Sequence, residues 1–336
     1  MENLTIKNLL DTYPYSKEFF DINGLPIDSL SNTVKNYISS LPYVFLEDMG
    51  VNREGLLQRF LAFMERMEDI RKERSFSIHD ITILGGRDKN GKTEEIELKI
   101  NMGEILCIVG PTGSGKSRLL ADIEWMAQRD TPTKRQILID GSVPPGNWRF
   151  SIEHKLVAQL SQNMNFVMDI SVKDFIKLHA QSRMIDDIEN KTREIIDHAN
   201  DLSGEVFDLY TPLTSLSGGQ SRALMVADTA FLSTSPIVLI DEIENAGISR
   251  KKALELLVGQ NKIVLIATHD PLLALMGNKR IVIKNGGIRN VIGTTSNEKK
   301  CLIRLTEIDN VLLRYREMLR NGEMLEDTEY EFPISS

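Results

Sequence analysis

Cysteine is scarce in this chain, with only Cys107 and Cys301 among 336 residues. Two cysteines cannot form the set of disulfides that stabilises small secreted domains, so the composition favours a reducing compartment. Cys107 stands in an apolar run, where we expect it to act as a small packing residue. No run of about 18 apolar residues exists, which argues against a membrane-spanning helix. The first residues lack a basic segment followed by an apolar one, so we expect no signal peptide and a cytoplasmic location.

An excess of positive charge is also missing, because 48 acidic residues outnumber 40 basic ones and give a formal net charge of −8. A broad nucleic-acid surface needs a basic face, so the chain carries no strong nucleic-acid signal, although a local basic patch stays open. The hydrophobic fraction of 41% and the charged fraction of 26% are typical of a soluble globular protein. The length allows one large domain with an appendage.

One glycine-rich stretch stands out in what the sequence does contain. It fits the pattern G-x-x-x-x-G-K-[ST], a phosphate-binding loop (P-loop) that follows a strand and opens a helix. The apolar run 104–109 before it predicts a buried strand, and the periodic run 118–128 after it predicts a helix. An ordinary glycine turn needs neither a strand before it nor a helix after it, so the two flanking elements favour a P-loop. The P-loop comprises Gly110, Pro111, Thr112, Gly113, Ser114, Gly115, Lys116 and Ser117.

The residue types of the P-loop suit a bound phosphate chain. Glycines let the backbone curl tightly and turn its N–H groups inward. Together with the positive end of the following helix, these donors form a cradle for an anion. In such loops the lysine, here Lys116, bridges the β- and γ-phosphates, and the hydroxyl of Ser117 is placed to ligate Mg²⁺.

Two later apolar runs end in polar residues. Residues 236–240 lead into Asp241 and Glu242, and residues 263–267 lead into His269 after one threonine. Continuous apolar strands alternating with helices predict a parallel sheet covered on both faces, and ligands of such sheets bind at the carboxyl ends of the strands. Asp241 and Glu242 alone could be a capped strand end, and His269 alone could be a turn residue. The P-loop at a third strand end favours one common site instead.

With the run Leu216-Ser217-Gly218-Gly219-Gln220 added, residues 76 to about 290 resemble the ATP-binding-cassette (ABC) ATPases. The motifs GPTGSGKS, LSGGQ, IVLIDE and IVLIATHD stand in the family's order and spacing. The resemblance implies an α/β P-loop NTPase fold with a mostly parallel sheet, an antiparallel β subdomain and a helical subdomain. It also implies an ATPase that uses ATP and Mg²⁺.

The resemblance assigns roles to single residues. The P-loop and Arg118 would hold the phosphates, and Ser117 and Asp241 would position Mg²⁺. Glu242 would activate the attacking water, and His269 would contact the γ-phosphate. A glutamine between the P-loop and LSGGQ completes the metal site in the family. Gln162 fits best by its distance to the next helix, and Gln159 is the alternative.

The same resemblance implies a second copy of the chain. In this family LSGGQ of one subunit closes over the nucleotide of the other, so Ser217, Gly218, Gly219 and Gln220 would contact ATP held by the partner. One complete set of motifs per chain therefore implies a head-to-tail homodimer with two ATP molecules.

Three positions depart from the family pattern. Leu84-Gly85-Gly86 stands where relatives carry an aromatic ring against adenine, so the preference for ATP over GTP stays open. The segment 243–249 lacks the usual aspartate after Glu242, and Asp228 stands near a usual arginine. None of these departures removes a catalytic group.

The sequence divides into residues 1–72, a small all-α domain; residues 73–292, the ATPase domain; and residues 293–336, a helix with an acidic tail. The first segment resembles a small helical domain attached to iron–sulfur and di-iron repair proteins. Cysteines commonly follow the glycine there, whereas this chain has Leu25-Pro26-Ile27, so no metal role carries over. Periodicity predicts further helices over 172–182, 186–200, 221–232 and 302–321.

Three hypotheses follow for what the ATPase moves. The first is the remodelling of a soluble protein or metalloenzyme partner, which the added amino-terminal domain favours. The second is the nucleotide-binding subunit of a membrane transporter with a separate permease, which the length of the segment between Gln162 and Leu216 favours. A DNA-repair ATPase is disfavoured, because such proteins insert long coiled coils or zinc modules and this chain has no paired C-x-x-C motif.

Overall fold

The computed structural model describes residues 1–27, 29–73, 78–150, 155–161, 166–185, 187–241 and 247–325. The chain forms two compact units, Met1–Ser77 and Ile78–Ser336. Each unit has its own core. The functional division at residues 72 and 292 stays a prediction.

The first unit is helical. Its longest helix carries Leu56, Phe60 and Met64 at every fourth position, which places all three on one face, and each is fully buried. Phe19 meets Phe60 edge to face with ring centroids 5.2 Å apart. The short helix α4 was not predicted, because it shows no apolar period of its own. The helices are α1 (Ile6–Thr12), α2 (Ser16–Ile22), α3 (Val34–Ser40), α4 (Tyr43–Asp48) and α5 (Arg53–Glu73).

The second unit contains two sheets within the described residues. A three-stranded antiparallel sheet has the order β2-β1-β4, and a six-stranded sheet has the order β5-β6-β7-β3-β8-β9. The strands of the larger sheet are parallel except for the final hairpin β8–β9. The strands are β1 (Asp80–Leu84), β2 (Glu97–Asn101), β3 (Ile105–Val109), β4 (Gln136–Ile139), β5 (Val157–Leu160), β6 (Ile237–Asp241), β7 (Ile263–Ala267), β8 (Lys279–Lys284) and β9 (Gly287–Gly293).

Helices cover both faces of the larger sheet. One apolar cluster joins the sheet to α8, α9, α10 and α11, and another joins it to α6 and the antiparallel sheet. Nearly continuous burial along β3, β6 and β7 explains why these strands read as uninterrupted apolar runs. The helices are α6 (Lys116–Glu124), α7 (Gly146–Phe150), α8 (Val172–Ser182), α9 (Ile188–Ser203), α10 (Gly218–Phe231), α11 (Arg250–Gly259), α12 (Pro271–Met276) and α13 (Ser296–Arg320).

Helix boundaries differ from the prediction where capping decides them. Helix α6 starts two residues earlier than predicted and ends at Glu124, because Met126 adopts a left-handed φ of 47°. Helix α10 starts at Gly218, because Ser217 and Gln220 form a reciprocal capping box. Helix α13 starts six residues early for the same reason, with Thr295 as its cap.

Helix α13 is amphipathic in sequence but has no buried residue. Its contacts run mainly along α12, and Asp309 binds Arg250. Among the described residues, no helix combines the length and the apolar character needed to cross a bilayer.

Candidate functional site

Three parallel strands bring the predicted site to one edge of the larger sheet. Ile108 of β3 pairs with Ala267 of β7, and Ala267 also pairs with Asp241 of β6. The P-loop follows β3 by one residue, and His269 follows β7 by two. Carboxyl ends of parallel strands are therefore aligned where a ligand is expected to bind.

Left-handed glycines shape the P-loop. Gly113 has a φ of 74° and Gly115 a φ of 110°, values that residues with a Cβ rarely adopt. A Cβ on Gly110 would lie 2.4 Å from the carbonyl oxygen of Ile283, so the loop packs directly on the end of β8. Helix α6 begins at Lys116, which points the amino end of a helix at the loop.

Lys116 lies over the P-loop and is only 7% exposed. Its Nζ donates to the carbonyl oxygen of Gly110 at 2.8 Å and lies 3.0 Å from Nε2 of His269. Nε2 of His269 can accept from the ammonium group of Lys116 when the imidazole carries its proton on Nδ1. The structure thus brings the predicted lysine and histidine together, and a phosphate chain would replace these contacts with stronger charged ones.

The rest of the P-loop is open to a ligand. Pro111, Thr112, Gly113, Ser117 and Arg118 are exposed, whereas Ser114 is buried. The Oγ of Ser114 has no hydrogen-bond partner among the described residues.

The acidic and glutamine positions are described in part. Asp241 ends β6 at the shared edge. Glu242 and Gln162 lie outside the described residues, so their roles stay predictions. Gln159 is exposed inside β5 and pairs with Leu239, two residues before the edge that Asp241 reaches. The choice of Gln162, with Gln159 as the alternative, stays a prediction.

The LSGGQ run opens helix α10. Ser217 Oγ accepts from the backbone N–H of Gln220 at 3.2 Å, and the side chain of Gln220 accepts from the N–H of Ser217 at 2.9 Å. Gly219 packs so closely on Gly247 that a Cβ would lie 2.8 Å from its carbonyl oxygen. Ser217 and Gly218 are exposed, so this helix start is available to a second chain.

Sequence patterns missed two basic residues beside the site. Lys89 Nζ donates to the carbonyl oxygen of Gly113 at 2.9 Å, although 24 residues separate them. Arg250 binds Asp270, the residue after His269, and also Asp309 at 2.7 Å. Neither stands in a motif, so only the fold reveals them.

Asp228, the unusual residue of α10, has a structural partner. Its Oδ1 lies 2.8 Å from Nδ1 of His179 in α8. The pair links two helices of the helical part, which accounts for an acidic residue at this buried position.

The fold also explains the absent aromatic ring after β1. A Cβ on Gly85 would lie 2.1 Å from the carbonyl oxygen of Glu94, and one on Gly86 would lie 2.0 Å from that of Thr133. Backbone on both sides therefore leaves no room for a side chain at either glycine. The preference among nucleotide bases stays open.

Replacing Gly86 with alanine is expected to destabilise the protein by about 1 to 3 kcal/mol, because overpacking against fixed backbone forces strands apart. Urea unfolding measures this loss. Gly259→Ala is the control, because a Cβ at Gly259 meets nothing within 4 Å. Equal stabilities of the two variants would contradict the close packing.

Comparisons with known proteins agree with this geometry. A family model described as ABC transporter matches residues 93–245. The chain is 55% identical over 249 residues to an uncharacterized ABC transporter ATP-binding protein of Methanocaldococcus jannaschii. The alignment covers 74% of this chain and 95% of that relative. It is 26% identical over 238 residues to a macrolide export ATP-binding/permease protein of Campylobacter jejuni, covering 65% of this chain and 36% of that longer protein.

Among solved structures, the chain is similar to cbiO1 from Clostridium perfringens, described as part of an ABC transporter complex. The TM-score is 0.50 at 20% identity, and the match covers 73% of this chain and 100% of that one. This likeness supports the fold alone.

The P-loop, the parallel sheet and the aligned strand ends define the fold of a P-loop NTPase. The chain belongs to the family of ABC transporter ATP-binding proteins, and its activity is ATP hydrolysis. The predicted family, fold class and enzyme class are thus confirmed. The resemblance of residues 1–72 to a repair-associated domain stays a prediction.

Proposed function

We propose that this chain is the nucleotide-binding subunit of an ABC transporter, and that it drives a separate membrane permease by hydrolysing Mg-ATP. The relatives that it matches are named as transporter proteins, which supports this function over the remodelling of a soluble enzyme. The soluble-partner hypothesis, favoured by the sequence alone, finds no support among them.

The P-loop would hold the triphosphate, with Lys116 on the β- and γ-phosphates and His269 at the γ-phosphate. Glu242 would orient the attacking water. The partner's LSGGQ would close the site, so that two chains enclose two ATP molecules head to tail. The site then works by positioning and by stabilising charge in a water-poor interface.

Mg²⁺ suits the oxygen donors proposed for it. The hydroxyl of Ser117, the carboxylate of Asp241 and the amide of Gln162 are hard ligands of the kind that Mg²⁺ prefers. Among the described residues, no group of three or more histidine, cysteine or acidic side chains could hold a metal by itself. The metal is therefore expected to arrive with the nucleotide phosphates, which complete its shell.

Exposed apolar side chains supply a surface for a permease. Val167 is 92% exposed, and Tyr210 is 74% exposed. Their segments run side by side, because Lys173 N–H donates to Leu209 and Leu213 N–H donates to Ile170, at 2.8 and 3.0 Å. Val167, Met168, Val206 and Tyr210 are exposed apolar residues of these two segments, and exposed apolar surface is a candidate for an interaction site.

The 55% identity to a relative named as an ABC transporter ATP-binding protein carries the permease assignment, and charges placed at Val167 and Tyr210 test whether these exposed residues contact the permease. We expect the tagged chain to co-purify a polytopic membrane protein from detergent-solubilised membranes of its host. The double variant Val167→Glu, Tyr210→Glu should lower that recovery at least about tenfold, because buried charges at an interface cost several kcal/mol. ATP binding by the isolated chain should not change.

The control is Val143→Glu, which places the same charge at another exposed valine of the second unit. It should recover the membrane protein like the wild type. Recovery of soluble proteins alone by the wild-type chain would rule out the transporter assignment.

A further inference from the structure

A fully buried arginine lies behind the P-loop. Arg135 directly precedes β4, is 0% exposed, and binds two buried carboxylates. Its Nε and Nη2 donate to both oxygens of Glu94 at 2.9 and 2.7 Å, and Nη1 donates to Asp122 at 2.9 Å. Asp122 belongs to α6, the helix that the P-loop opens. A guanidinium with this fork geometry cannot be replaced by another cation without loss of bonds.

Arg135 and Glu94 also hold two backbone turns. Arg135 Nη2 donates to the carbonyl oxygen of Gly286 at 2.6 Å, in the turn between β8 and β9. Glu94 accepts from Gly86 N–H at 3.0 Å and from Ile288 N–H at 2.5 Å. The ion pair therefore fixes the turn at 285–287 and the hairpin 86–94 to each other. We call these two segments the outer wall.

The outer wall touches the P-loop at several atoms. Gly286 N–H donates to the carbonyl oxygen of Ser114 at 2.6 Å, and a Cβ on Gly115 would lie 2.9 Å from Gly286 Cα. Lys89, at the tip of the hairpin, donates from Nζ to Gly113, and its own N–H donates to Asn285 at 2.9 Å. The outer wall thus holds the carbonyl groups of Gly113 and Ser114, two adjacent residues of the P-loop.

The electrostatics keep the pair ionised at neutral pH. Burial alone would raise the pKa of Glu94, but the hydrogen bonds and charge of Arg135, with the N–H groups of Gly86 and Ile288, hold that pKa below its usual value. A lowered folded-state pKa stabilises the protein above the unfolded pKa, and this stability is lost only as pH falls through the folded value. The outer wall therefore has a fixed charge partner over the physiological range.

We propose that Arg135 is a positioning residue for nucleotide binding, which acts through Gly286 and the outer wall to fix the P-loop backbone. Arg135 touches no nucleotide in this proposal. Its guanidinium sets the geometry of donors that do, and misplacing such donors by about 1 Å costs roughly 100-fold in function. The proposal rests on the P-loop as the ATP site.

The test compares Arg135→Lys and Arg135→Met with a buried cation that lies away from the site. Lys262, 7% exposed, directly precedes β7, at the opposite end of that strand from His269, and donates to the carbonyl oxygens of Ser233 and Ser235. We expect Arg135→Met to lower the melting temperature by roughly 6 to 20 °C, because Glu94 and Asp122 are left buried without their counter-charge. Lys262→Met should lower it by roughly 2 to 12 °C, because buried carbonyl oxygens lose their donor. Only the Arg135 variants should weaken ATP binding, by roughly 10- to 100-fold by calorimetry well below that temperature.

Steady-state kinetics give a second readout. In the Arg135→Lys variant the KM for ATP should rise roughly 10-fold while kcat stays within about threefold, because the loss is in binding geometry. If Arg135→Met does not fold, Gly286→Ala serves instead. Its Cβ would lie 2.9 Å from Cγ of Lys89 at a φ of 80°, which disturbs the wall without removing a charge.

Two results would overturn the proposal. One is wild-type ATP affinity in the Arg135→Lys and Gly286→Ala variants. The other is an equal loss of affinity in Lys262→Met, which would show a general effect of destabilisation. If the P-loop is not the ATP site, Lys116→Ala will leave ATP binding unchanged. If Lys116→Ala weakens ATP binding but the Arg135 variants do not, only the positioning role of Arg135 is refuted.

Discussion

Replacing Lys116 with alanine is expected to weaken ATP binding by roughly 30- to several-thousand-fold. Lys116 is the buried cation of the P-loop, held 2.8 Å from Gly110 and beside His269. Truncating one partner of a buried charge pair costs about 2 to 5 kcal/mol, which corresponds to that range of dissociation constants. Calorimetric titration with ATP and Mg²⁺ measures the change directly.

The matched control for Lys116 is Lys251→Ala on α11. Lys251 is exposed and makes a long surface ion pair with Glu255, so its loss should leave ATP affinity within about twofold. Lys116 is as buried as Lys262, so the variant should unfold cooperatively at a lower melting temperature, and affinity is compared well below that temperature. Wild-type affinity in Lys116→Ala would mean that the cradle lies elsewhere.

Replacing Glu242 with glutamine is expected to lower ATP turnover by roughly 10²- to 10⁴-fold, the usual contribution of a general base. Glutamine has nearly the same shape but cannot accept the proton of the attacking water. ATP binding should persist, so the variant should accumulate as a closed dimer. Phosphate release measures turnover, and size-exclusion chromatography with light scattering, with and without ATP, measures the dimer.

The control for Glu242 is Glu255→Gln, which makes the same chemical change on the exposed face of α11 and should keep wild-type turnover. Normal ATP hydrolysis by Glu242→Gln would contradict the role of Glu242 as general base. A variant that is inactive but stays monomeric with ATP would separate the two parts of the hypothesis. It would keep the catalytic role and refute the closure of two chains over the nucleotide.

Much of the site could be predicted because its residues follow local rules. A P-loop needs glycines with positive φ and a helix directly after them, and both constraints appear within eight residues of sequence. Asp241 and His269 follow apolar runs that are buried in the sheet, so their strand ends could be located by hydrophobicity alone. The parallel order then placed them at one edge.

Other features depend on contacts between distant parts of the chain. Arg135 and Glu94 are 41 residues apart, and Arg135 and Gly286 are 151 apart. No periodicity signals such pairs, and a buried arginine looks like any surface arginine in the sequence. The same holds for Lys89 against Gly113. The close backbone approach of Gly86 to Thr133 likewise becomes visible only when the segment leading into β4 lies beside the end of β1.

For helix α13, the sequence predicted the helix but not its surroundings. Its apolar period predicted an amphipathic helix correctly, yet none of its residues is buried. A period shows that one face is apolar, but what covers that face depends on the neighbouring elements.

Helix α13 is connected to the surroundings of the P-loop by two routes. Strand β9 runs from the turn at Gly286 to the start of α13, and it is hydrogen-bonded to β8 along its length. Arg250 ties the middle of α13 to Asp270, beside His269. A displacement of the last helix is therefore expected to reach Gly286, which touches the P-loop, through the paired strands, and Asp270, which follows His269, through Arg250.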